Sequence, residues 1–116
     1  MKIGEVCLLT SNVVRLANFY KALFSINNSS NDSTHQFIIA EETTLTIYND
    51  GNERSSNHNN IHLAFNVDDV DFEYERLKSL KVDIISPPTL RPWGAKNLIF
   101  KDPDGNIIAF RSFPKK

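Results

Sequence analysis

The chain has 116 residues, 41% of them hydrophobic and 23% charged, which fits one domain whose core needs neither disulfides nor a structural metal. Its 13 basic and 14 acidic residues leave a net charge of −1, and no basic stripe meets phosphates, so nucleic-acid binding is excluded as an expectation; the short tail Lys115-Lys116 does not change this. Cys7 is the only cysteine, so no intrachain disulfide can form, and no apolar run approaches a signal peptide or a membrane span, which points to the cytoplasm.

Ile3 to Leu9 is apolar and β-prone, and Cys7 within it reads as a small buried hydrophobe. Ser11-Asn12 offers a helix N-cap, and Val13, Leu16, Tyr20 and Leu23 recur at helical spacing up to about Phe24. Asn27 to Thr34 has loop composition; short strands are expected over Gln36–Glu41 and Thr44–Tyr48. Polar sequence from Gly51 to Asn60 reads as a linker.

The grammar then repeats. Ile61–Val67 reads as a strand, Asp68-Asp69 as a cap, and Val70, Tyr74, Leu77 and Leu80 as a helical stripe, with the acidic run through Asp71 suited to a helix N-terminus. A short strand over Val82–Ile85 should stop at Ser86-Pro87-Pro88, where the prolines interrupt regular structure. Asn97–Lys101 and Ile107–Phe113 are expected strands. Between them Asp102-Pro103-Asp104-Gly105-Asn106 is a turn whose acids have a local structural task.

Sliding the chain by 57 positions sets Val6 on Leu63, Leu8 on Phe65, Asn12 on Asp69, Val13 on Val70 and Leu23 on Leu80. Each half therefore reads as strand, helix, then two or three strands. Alternation along a strand then places Glu5, Cys7 and Leu9, and likewise His62, Ala64 and Asn66, on the face away from the helices. Polar Glu5 and His62 at matching places suggest a lined concavity.

Three segments, Ala17–Phe24, Ile61–Val70, and Trp93-Gly94 followed by Phe100–Ile108, occur in order. With them the chain resembles the vicinal-oxygen-chelate superfamily, the glyoxalase/bleomycin-resistance/extradiol-dioxygenase group. The resemblance implies an α+β fold of two βαβββ modules, about 1–52 and 60–116, forming a cupped mixed sheet with helices outside, commonly as a homodimer. It places the family's metal ligands at Glu5, about Thr46, His62 and Ala109. Alanine cannot ligate and threonine ligates poorly, so the full metal site is expected to be lost; any divalent metal would fall to Glu5 and His62.

Glu5 and His62 remain open between ligand contacts, an acid–base pair, and satisfied polar groups at a wall or seam. Trp93 reads as a wall for a flat ligand, with Arg91 offering charge to an anion, or else as a plug between loop and sheet. Arg111 beside Ala109 reads as an anion-reading corner, or as a solvated terminal arginine. The favoured function is a small-molecule binding protein of the bleomycin-resistance kind, without the full metal site, for an aromatic or anionic ligand. The alternatives are a divergent metal-dependent lyase, isomerase or dioxygenase, and an interaction module without ligand.

Overall fold

The computed structural model describes residues 1–54 and 62–114. Most of the expected linker (55–60), Ile61 at the start of its expected strand, and Lys115-Lys116 lie outside the described residues. The chain divides into two compact units, Met1–Ser55 and Ser56–Lys116. Each is α+β, with one helix laid on one face of a small mixed sheet.

The first unit runs β1 (Glu5–Leu9), α1 (Val13–Leu23), β2 (His35–Ala40) and β3 (Thr44–Tyr48). Its strand order is β1-β3-β2, with β1 parallel and β2 antiparallel to β3. Asn12 starts the helix, its Oδ1 accepting from the Arg15 amide at 3.1 Å. Val13, Leu16, Ala17, Tyr20 and Leu23 are all buried, a helical stripe that packs on β2 and β3 over Leu45 and Ile47. The helix ends through Ser25, whose φ of 54° allows the Ile26 amide to reach the Lys21 carbonyl at 2.8 Å. The polar loop before β2 is tethered by Lys21, whose Nζ donates to the Ser30 carbonyl at 2.6 Å.

The second unit runs β4 (His62–Asn66), α2 (Val70–Ser79), β5 (Asp83–Leu90), β6 (Lys96–Lys101) and β7 (Ile107–Ser112). The order is β4-β7-β6-β5, with β4 parallel to β7 and the other pairs antiparallel. Val70 and Leu77 of α2 are buried, as are Leu98, Phe100, Ile108 and Phe110 of the sheet. Phe110 meets Phe100 edge-on at 5.1 Å between centroids. Leu80, expected in the helical stripe, is exposed because the helix has ended at Ser79.

The proline pair does not end its strand. Pro87 and Pro88 lie inside β5, and the strand absorbs them by register shifts between Ile84 and Ser86 and between Ser86 and Thr89. β5 is the outer strand of its sheet, and the shift between Ser86 and Thr89 leaves Pro87 and Pro88 without a paired residue on β6, so neither missing amide donor is asked of the ladder. The hairpin from β6 to β7 turns as its sequence demands, with Gly105 at φ 84°. Among the described residues no helix is long and apolar enough to cross a membrane.

Candidate functional site

In the first unit the strand face away from α1 carries Glu5, Cys7 and Leu9 from β1, and Thr44, Thr46 and Tyr48 paired beside them on β3. Cys7 is exposed there, so the buried-hydrophobe expectation does not hold. Thr46 pairs with Cys7 and is fully buried; its Oγ1 donates to Glu5 Oε2 at 2.9 Å. His35 edges onto Phe37 at 4.7 Å and Tyr48 at 5.8 Å, forming an aromatic group on β2 and β3.

The second unit's open face is ordered by register into two rows. Ala64, Ala109, Ile99 and Ser86 lie side by side across the four strands, a row of small or apolar groups. Beside it run Asn66, Arg111, Asn97 and Thr89, all polar. A cleft of about 220 Å³ opens here. His62 of β4 lines it, as do Ser86 and Thr89 of β5, Arg91 and Trp93 of the following loop, and Asn97 and Ile99 of β6.

The loop between β5 and β6 presents its aromatic side chain for a local reason. Pro92 fixes one turn dihedral, the Gly94 amide donates to the Arg91 carbonyl at 3.0 Å, and Gly94 adopts φ 98°. The Arg91 amide closes the hairpin on the Ala95 carbonyl at 2.7 Å. Trp93 therefore stands at a hairpin tip and is 64% exposed, with the Arg91 guanidinium 5.1 Å from its ring centroid. Behind the tip, Lys96 Nζ pairs with Asp71 of α2 at 2.6 Å and holds the start of β6 to the helix.

Of the residues singled out from sequence, the cleft brings together His62, Arg91 and Trp93. Arg111 is not among its lining residues: its Nε donates to Asn66 Oδ1 at 2.7 Å and its guanidinium lies 5.5 Å from the Phe113 ring. Glu5 stands in the first unit, bonded to Thr46. Sequence reading missed Ser86, Thr89, Asn97 and Ile99. Alternation carried back from Ala109 through the Asp102–Asn106 turn would have placed Asn97 and Ile99 on the open face.

The donors at the family's metal positions do not form a usual ligand set. Ala109 offers only a methyl group, and the Thr46 hydroxyl already serves Glu5. Among the described residues no group of three or more His, Cys, Asp or Glu side chains is gathered to hold an ion.

The family model described as Glyoxalase/Bleomycin resistance protein/Dioxygenase superfamily matches residues 2–110. Among solved structures, a glyoxalase/bleomycin resistance protein/dioxygenase from Nocardioides is 20% identical with TM-score 0.76, over 99% of this chain and 85% of that one. A glyoxalase-related enzyme from Fulvimarina pelagi is 20% identical with TM-score 0.79, over 97% and 88%. A lactoylglutathione lyase from Agrobacterium tumefaciens is 18% identical with TM-score 0.74, over 96% and 92%. Likeness at such identities speaks for the fold alone. No curated protein matches the sequence.

Proposed function

Because the chain belongs to the glyoxalase/bleomycin resistance protein/dioxygenase superfamily, we propose that it is a small-molecule binding protein whose second unit takes a flat organic anion without a full metal site. The observation that carries this reading is the Arg91–Trp93 pair at the cleft, an aromatic plane and a positive charge held 5.1 Å apart on a closed hairpin. A flat ring stacks on indole, and a guanidinium fork meets a carboxylate in the same plane. Ile99 supplies apolar wall, and His62, Ser86, Thr89 and Asn97 supply polar groups, the mixture that orients small ligands. A volume of 220 Å³ lies below the roughly 300–1,000 Å³ of drug-sized sites, which favours a single substituted ring.

Trp93 is the only tryptophan in the chain, so its fluorescence reports directly on the cleft. Titration with small aromatic carboxylates should change that emission and raise the melting temperature without turnover. Arg91→Ala should weaken the binding about tenfold, the effect of losing one charge-assisted contact. Stoichiometric metal in untagged protein, lost in His62→Ala, would replace this reading with the metal-dependent enzyme. Absence of any response to aromatic acids would end it as well.

A further inference from the structure

Among the described residues two buried side-chain oxygens have no hydrogen-bond donor, Gln36 Oε1 and Asn97 Oδ1. Of the two, Asn97 lines the cleft. Its neighbours explain its isolation. On β7 the paired residue is Arg111, whose Nε is turned to Asn66 Oδ1 at 2.7 Å. On β5 the paired residue is Thr89, whose Oγ1 donates to the Pro87 carbonyl at 2.8 Å. Ser86 Oγ donates to that same carbonyl at 3.3 Å. The shifted register around the prolines thus draws both β5 hydroxyls to one backbone oxygen and leaves the amide between them and Arg111 unserved.

A buried acceptor without a donor loses its hydration and gains nothing in return. A strand position that served packing alone would be better filled by Leu or Val, which leave no such group. We propose that Asn97 is the specificity-determining residue of the cleft. Its side-chain amide accepts a hydrogen bond from the ligand, and the preferred ligand is an aromatic acid carrying an N–H or O–H donor on its ring. Rotation about χ2, a broad torsion, turns the amide oxygen toward an incoming donor. The inference rests on the cleft binding aromatic anions at all, and the experiment separates the two.

The probes are 4-aminobenzoate and its isostere 4-methylbenzoate, alike in charge and shape and different in donor, titrated by Trp93 fluorescence. The natural protein should bind the amino compound about tenfold more tightly, the effect of one satisfied buried hydrogen bond. Asn97→Leu, which removes the orphan without emptying the site, should bind both alike with an unchanged or raised melting temperature. In 15N-labelled natural protein, the Asn97 side-chain amide signals should shift with 4-aminobenzoate and stay in place with 4-methylbenzoate, a readout independent of any variant. Equal affinity for both probes in the natural protein, or a preference that survives in Asn97→Leu, overturns the role of Asn97 and leaves the cleft reading standing. Binding of neither probe overturns both.

Discussion

Asp102, read from sequence as a turn residue, is one in the structure. It is almost fully buried, and Oδ1 accepts from the amides of Asp104 and Asn106 at 2.9 Å each. Oδ2 accepts from Asn106 Nδ2 at 2.7 Å. One carboxylate thus satisfies three donors in the hairpin that sets β6 against β7, and so fixes which residues face the cleft. Asp102→Ala leaves those donors unserved and should lower unfolding free energy by about 2–3 kcal/mol, measured by urea denaturation. Asp102→Asn keeps an acceptor at Oδ1 and should recover part of the loss. An alanine variant as stable as the natural protein would show that the turn holds by backbone geometry alone.

At the scale of elements, the loop entering β2 depends on ionisation. Asp32 Oδ1 accepts from the amides of Thr34 at 2.7 Å and His35 at 3.0 Å. Those two backbone bonds, Thr34 first, hold its pKa below the ordinary carboxylate value. A depressed folded-state pKa means the contribution is present above the unfolded value and is lost as pH falls through the folded one. Exchange protection at the Thr34 and His35 amides should therefore fade only in acid below the usual carboxylate range, and Asp32→Ala should abolish that pH dependence. Protection that is flat with pH would rule out the carboxylate as the cause. The polar run from Asn27 to Thr34 announced a loop by composition, but nothing local said that Pro87 and Pro88 would sit in a strand. That outcome depends on β5 being outermost and able to slip its register, facts set by the whole sheet. Asn97 was hidden for a related reason: its role follows from what Thr89 and Arg111 do with their donors, and cross-strand partners are not adjacent in sequence.

For the molecule as a whole, the 57-residue repeat was legible because it lies in capping chemistry and periodic burial rather than identity. Strands start at Glu5 and His62, helices at Val13 and Val70, and in both units the first strand runs parallel to the last. The repeat fades after the helices, where the first unit has a tethered polar loop and the second has β5, whose residues and following turn supply much of the cleft. Asn12 and Asp69, also 57 apart, cap the two helices. Asn12 Oδ1 accepts from the Arg15 amide at 3.1 Å, and Asp69 Oδ1 from those of Asp71 at 2.9 Å and Phe72 at 3.3 Å. Every one of these bonds is local to its own helix, so neither cap shares a partner with the other. Asn12→Ala and Asp69→Ala should each cost about 1 kcal/mol, with Asp69→Ala the larger because its carboxylate also meets the positive end of the helix. Independent local bonds add, so the double variant should lose about 2 kcal/mol, within roughly 0.5 kcal/mol of the sum. A larger departure in a urea-melt double-mutant cycle would show that the two repeats are energetically coupled through their helix starts.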